Sequence, residues 1–328
     1  MKPQLLARLE LDASALWEAH PPRVRHANKK LLLEAAGGLA RVPEGRLSVA
    51  RWRPGRWQPL PEREPELVSV DAAFDYPPPE RGVERWHVNF ANAHLFCAYG
   101  ASAFAQDEIQ VAEHPVLASL LEHLIAREQG SAQPALAPLT SDSTGPTPIT
   151  VHGAERWCSV DTAPELAMPY GIYGRRFDRA RPEALRQAVT RVSERFTNIV
   201  AMEAPTGYGR YTPEQVGGIL STATTAFSAA REETARENPR VRVVVHTGHW
   251  GTGAYGGDRL LMAVAQLVAA RFAGLDELAF HSLDGDGLEV VKSSSRTAAR
   301  IATPGMSFEE VVLAISELGR SWGVGDGN

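Results

Sequence analysis

The chain has 328 residues, 44% hydrophobic and 22% charged, which suits a soluble globular fold with a substantial core of one large or two smaller domains. A formal net charge of −5 gives no overall positive field for a nucleic-acid backbone. Two cysteines, Cys97 and Cys158, make neither a disulfide framework nor a metal cluster; no apolar run reaches membrane-spanning length, and the first ten residues lack a signal-peptide core. A reduced, cytoplasmic setting is expected.

Residues 1–65 alternate charge, proline and short apolar runs, and read as a partly helical accessory segment wrapped on a main domain spanning 66–328. The basic stretch from Arg23 to Lys30 reads as a solvated helix face. A strand is expected over 83–90, with Trp86, Val88 and Phe90 on one face. Leu117, Leu120, Leu121, Leu124 and Ile125 recur at helical spacing and predict a helix over 115–128. Residues 130–148, rich in Pro, Ser, Thr and Gly, read as a loop.

Leu185, Val189, Val192 and Phe196 predict a helix over 181–196, followed by a buried strand over 198–204. Thr212, Pro213 and Glu214 start a helix running to about residue 237. The β-branched run 241–245 is a central strand, 260–272 an apolar helix and 278–283 the next strand. That order implies parallel pairing with helices on both faces. The DGDG run 284–287 reads as a hairpin turn. Phe280 suits either adenine stacking or core packing, and the ten histidines show no metal-ligand spacing.

The segment 246–258, HTGHWGTGAYGGD, lies between the central strand and the apolar helix. Its glycines free the backbone and clear side chains from a ligand's path, and consecutive N–H groups at a helix mouth cradle phosphate. A strand's carboxyl end is where open α/β sheets bind ligands. Gly251, Gly253 and Gly256 also spell GxGxxG, the dinucleotide fingerprint. However, the acidic Asp276 precedes its strand rather than ending it, and too little chain follows to complete such a sheet. A nucleotide-dependent oxidoreductase is therefore a distant reading.

TGHWGTGAYGGD resembles the TGNWGCGAFGGD-type loop of the poly(ADP-ribose) glycohydrolases, with His249 and Thr252 as mild departures. A second stretch, VNFANAHLFCAYGASAFAQDEI at 88–109, is similar to that family's V(D/N)FAN…Gly-Gly-Gly…Gln-Glu-Glu-Ile segment. A third, weaker likeness is IVAMEA at 199–204, and the resemblance covers about residues 66–285. It implies a three-layer α/β/α macrodomain with a mixed, largely parallel central sheet. It further implies an ADP-ribose glycohydrolase with no metal or redox cofactor, acting on ADP-ribosylated protein or nucleic acid. Glu108 matches the catalytic glutamate, serving as acid and base in turn through an oxocarbenium-like state, and Asp107 and Asn89 would position ribose hydroxyls and water. Phe90, Asn92, Gln106, Gly248, His249, Gly251, Thr252, Gly253, Ala254, Tyr255 and Gly256 would bind the ligand. The family's triple glycine falls on Phe96, Cys97 and Ala98, where Phe96 adds bulk at the expected ribose or phosphate position. That replacement puts activity in question and supports an alternative, a module that binds ADP-ribose without cleaving it. From the residues alone, Gln106, Asp107 and Glu108 fit a helix cap as well as a catalytic role.

Overall fold

Thr212 begins the longest helix because its hydroxyl accepts from Gln215 N while the Gln215 side chain accepts from Thr212 N, with Pro213 pre-set at the first helical position. The structure, a computed structural model, describes residues 1–72, 74–130, 136–163 and 171–325, with Glu194 and Arg195 described by backbone alone. β1 (Gln4–Asp12), α1 (Ala13–Ala19), α2 (Ala27–Ala36) and β2 (Arg46–Arg53) come first, then β3 (Glu66–Val70) and β4 (Val83–Ala91). α3 (Gln106–Glu113), α4 (Val116–Gln129) and a small hairpin, β5 (Ser141–Asp142) with β6 (Gly145–Pro146), precede the long β7 (Ile149–Val160). α5 (Pro182–Ala188), β8 (Val189–Glu203) and α6 (Pro213–Glu237) follow. The chain continues through β9 (Arg242–Gly248), α7 (Arg259–Ala273), β10 (Glu277–His281), α8 (Gly285–Ile301) and α9 (Phe308–Ser316).

Eight strands make one sheet in the order β1-β2-β7-β8-β4-β9-β10-β3. The run β8-β4-β9-β10-β3 is parallel, and β1, β2 and β7 add antiparallel pairings. Alternation along β8 shows the layers. Val200 and Met202 join Trp86, Val88, Phe227 and Val264 in one core, covered by α6 and α7. Ile199 and Ala201 join Leu47, Val49, Val116 and Leu120 in the other, covered by α3 and α4. The molecule is thus a three-layer α/β/α fold with a mixed sheet. Each large apolar side chain buried on either face adds about 1.5–3 kcal/mol of transfer free energy, so neither layer is dispensable.

Three expectations change. The first 65 residues, read as a wrapped accessory segment, supply β1 and β2 to the main sheet. The helix expected over 181–196 stops at Ala188, because the β-branched Val189, Thr190 and Val192 extend β8 against β7, with Val189 opposite Val160. β7 itself escapes a pattern reading because both its faces are buried, and its charged Glu155 and Arg156 are paired with Arg41 and Glu113. The DGDG run is no hairpin: Asp284 caps α8, its carboxylate accepting from Gly287 N at 2.7 Å. Of the loop expected over 130–148, residues 131–135 lie outside the described residues.

Candidate active site

β4 sends Trp86 and Val88 into the α6–α7 core, so His87, Asn89 and Ala91 point to the α3 face. β4 and β9 stay paired only as far as His87 and His246, then part. Ala91 O accepts from Ala204 N on the β8 side, so the backbone groups of Val88 and Phe90 face the gap where β9 has left. Gln106 fills it. Its Oε1 accepts from Phe90 N at 2.8 Å and its Nε2 donates to Val88 O at 3.0 Å. Leaving either buried backbone group unpaired would cost about 1–3 kcal/mol, so this one amide fixes the first turn of α3 against the end of β4.

That turn carries Asp107 and Glu108, both buried. Asn89 Nδ2 donates to Asp107 Oδ1 at 3.0 Å, and Glu108 Oε2 accepts from Ala105 N at 2.8 Å. Helix capping and carboxylate placement are therefore the same set of bonds rather than alternatives. Burial first, and then the neighbouring Glu108, hold the Asp107 carboxyl well above the ordinary carboxylate range, against the pull of Asn89 and Lys29. A carboxyl whose proton affinity is raised by burial, beside a second carboxyl, suits acid–base work on a glycosidic oxygen.

The glycine segment leaves the end of β9. Gln266, buried in α7, holds that end: its Nε2 donates to Gly248 O at 3.1 Å, and its Oε1 accepts from the Thr247 hydroxyl at 2.5 Å. Trp250 is fully buried in the core below. Gly251, at φ +71°, lies against Pro205, and Gly256, at φ +66°, lies against Gly323 O, where a Cβ would come within 2.7 Å. Thr252 N and its hydroxyl both donate to His249 O, Gly256 N donates to Gly253 O, and Gly257 N to Gly251 O. Among the described residues, the N–H groups of Gly253, Ala254 and Tyr255 meet no protein acceptor. They form a short nest suited to an anion. The helix mouth itself is taken, since Asp258 accepts from Leu261 N and pairs with Arg320, and its own N–H donates to Tyr211. The nest lies in the turn upstream, not at the first turn of α7.

The two segments meet. Asn92 Nδ2 donates to Tyr255 Oη at 3.2 Å, and Phe90 lies beside Gly248. His249 does not line this opening: its ring is buried against the edge of Phe280, with Nε2 3.3 Å from Ser282 O. Phe280 is wholly buried and resolves as a core residue. Asp276 sits just before β10, accepting from Val243 N and pairing with Arg63, at the wrong end for a ribose contact in a dinucleotide fold.

Phe96 also departs from expectation. Its backbone adopts φ +51°, the left-handed region that a glycine enters freely, but its ring is 0% exposed and packs in the α3–α4 core. The ring therefore leaves the ligand opening and adds no bulk there.

Residues invisible to motif reading support this loop. The basic stretch keeps Arg23, Arg25 and Lys30 exposed, as expected of a solvated face, but its backbone and Lys29 dock on the loop. Arg23 N donates to Tyr99 Oη at 2.7 Å, and Arg25 N and His26 N both donate to Gly100 O. Lys29, 4% exposed, donates to Ala98 O at 2.9 Å. The α3 face of the sheet also buries His87, stacked on His246, which contacts His281 at 3.0 Å. Among the described residues, no group of three or more His, Cys, Asp or Glu side chains is arranged to hold a metal ion, and no helix is long and apolar enough to cross a membrane. A cavity of about 650 Å³ lies at the opposite end of the sheet, beside Arg63, Arg231, Arg240, Arg242 and Asp276. Arg63 and Arg242 there are paired with Asp276, Glu66 and Glu277, which reduces its pull on an anion.

A family model for poly(ADP-ribose) glycohydrolase (PARG), macro domain fold, matches residues 148–289, which include the glycine segment but not Asn89 to Glu108. Among solved structures, the poly(ADP-ribose) glycohydrolase of Thermomonospora curvata is similar at 15% identity and a TM-score of 0.40, covering 82% of this chain and 100% of that one. The Deinococcus radiodurans enzyme in complex with ADP-ribose is similar at 12% identity and a TM-score of 0.41, covering 90% and 94%. Over residues 148–289, including the glycine segment, the chain is thus similar to the poly(ADP-ribose) glycohydrolase macro domain fold.

Proposed function

We propose that the chain is a glycohydrolase that cleaves the O-glycosidic ribose bond of ADP-ribosylated macromolecules, protein or nucleic acid. Glu108 acts as the acid that protonates the leaving oxygen and then as the base that activates water. Asp107 and Asn89 hold ribose hydroxyls and water. The N–H groups of residues 253–255 take the diphosphate, with Tyr255 and Asn92 beside the ribose. One observation carries this reading: the anion nest and the buried carboxyl pair, 145 positions apart in sequence (Glu108 to Gly253), belong to loops joined by the Asn92–Tyr255 hydrogen bond.

A module that binds ADP-ribose without cleaving it drew its support from the lost triple glycine. With the Phe96 ring in the core, that replacement no longer argues for a blocked site. The test is ADP-ribose release from poly(ADP-ribosyl)ated protein by wild type and Glu108→Gln, with ADP-ribose binding measured by calorimetry on both. Release by wild type alone, with binding in both, is the expected result. Binding without release by wild type favours the non-cleaving module, and absence of binding overturns both.

A further inference from the structure

The N-terminal helix α2 brings a lysine to the carboxyl pair. Lys29 is almost fully buried, although a solvated ammonium is far cheaper than a buried one unless something compensates it. Its Nζ donates to Ala98 O and lies 5.9 Å from the centre of the Phe104 ring. Ala98 and Phe104 stand on either side of the bend that leads from β4 into the first turn of α3. A single side chain thus bonds one arm of the loop that delivers Asp107 and Glu108 and lies over the aromatic ring of the other. The backbone of residues 23–26 closes on the same loop through Tyr99 and Gly100. Gly100 lies so close to Arg23 O that a Cβ there would stand 2.9 Å away, so this contact is built into the chain rather than brushed against.

We propose that Lys29 is a positioning residue for the Asp107–Glu108 pair, tying down the loop that carries the pair and supplying the cation that both carboxyls face. The inference rests on the glycohydrolase reading for its functional meaning, but its physical content is independent of turnover. The groups concerned include Cys97 on the loop itself, whose thiol is pushed up by burial first and then by Asp107 and Glu108. Asp107 faces Glu108 on its own helix, Asn89 from β4 and Lys29 from α2. Lys29 faces Glu108 and Asp107. The nearby Arg23 and Glu122 pair with each other at 3.2 Å, and Glu122 also takes the Tyr99 hydroxyl. Burial draws the Lys29 ammonium down to about 8, while Glu108 first and Asp107 next resist that fall. The same attraction, seen from Asp107, opposes the rise that burial imposes on the carboxyl.

The decisive measurement is the pH titration of the Asp107 carboxyl carbon by NMR in full-length wild type, Lys29→Met and Lys29→Arg. In Lys29→Met the midpoint rises by about one unit or more, a tenfold gain in proton affinity, while Lys29→Arg stays near wild type. An unmoved midpoint in folded Lys29→Met overturns the proposal. Should that variant not fold, Asp107→Asn reads the pair from the other side, through the Lys29 side-chain resonances. The Lys29 midpoint falls when its anionic neighbour is removed, and an unchanged midpoint overturns the proposal equally. None of these readouts needs catalysis. Loss of coupling with ADP-ribose release intact sinks only the role of Lys29, whereas coupling without release sinks the glycohydrolase reading.

Discussion

The two loops that make the candidate site differ in how they keep their shape. The 248–258 loop retains its glycines, and its turns are closed largely by its own backbone, with Gln266 and Asp258 at the two ends. The 92–105 loop carries the larger Phe96, Cys97 and Ala98 at its bend, and it is held from outside by residues 23–29. A loop whose ligand needs bare backbone must keep small residues. A loop that delivers side chains can trade them for anchoring, provided the left-handed position is still filled. Phe96 fills it at a conformational cost of about 1–2 kcal/mol and recovers more by burying its ring.

The largest effect expected from this contrast is chemical. Glu108→Gln keeps an oxygen for the Ala105 N–H, so the fold and ADP-ribose binding survive, while release of ADP-ribose falls about 10²–10⁴-fold. Phe96→Gly comes next and separates anchor from obstacle. Removing a buried ring costs about 3–5 kcal/mol and relieving the left-handed backbone returns about 1–2, so chemical denaturation should show a net loss near 1–4 kcal/mol. Unchanged stability with faster release would mean that the ring obstructs the ligand.

Two kinds of buried group on the α3 face of the sheet also predict opposite responses to acid. Burial draws His87 well below its ordinary value and His246 and His114 to about 3, so the unfolded chain binds protons there that the folded chain refuses. The stability these rings confer is complete above about pH 6.5 and drains away as pH falls towards 3. Asp107 works the other way: its folded value is raised, so its contribution is present at acid pH and lost as pH rises above the ordinary carboxylate range. Three histidines outweigh one carboxyl, and thermal unfolding midpoints should fall between pH 6.5 and 4. Replacing His114 by Gln should flatten that fall; an unchanged slope would count against its buried, neutral state. The smallest effect belongs to the bond between the loops. Tyr255→Phe removes an exposed hydrogen bond of about 0.5–1.5 kcal/mol, weakening ADP-ribose binding about two- to tenfold by calorimetry.

Legibility followed the same division. Elements with a single dominant physical signal were readable: the capped start of α6 at Thr212, the β-branched run of β9, the leucine spacing of α4. The glycine segment was readable because backbone freedom leaves its mark in residue type. β7 was not, since a strand buried on both faces with internal ion pairs shows no alternation. Nor was α5 separable from β8, where Leu185 and Val189 fit one helical face although the chain turns extended between them. Asp107 and Glu108 could be placed by resemblance, but the backbone-mending role of Gln106 and the burial of Lys29 depend on contacts between segments far apart in sequence. A run of basic residues looks the same whether water or a loop lies opposite.

The most direct test of the account is the structure of Glu108→Gln crystallised with ADP-ribose. The account places the diphosphate on the N–H groups of residues 253–255 and the terminal ribose between Asn92 and the carboxyl pair. Ligand bound instead in the arginine-lined cavity at the opposite end of the sheet, with the 253–255 turn left empty, would contradict it.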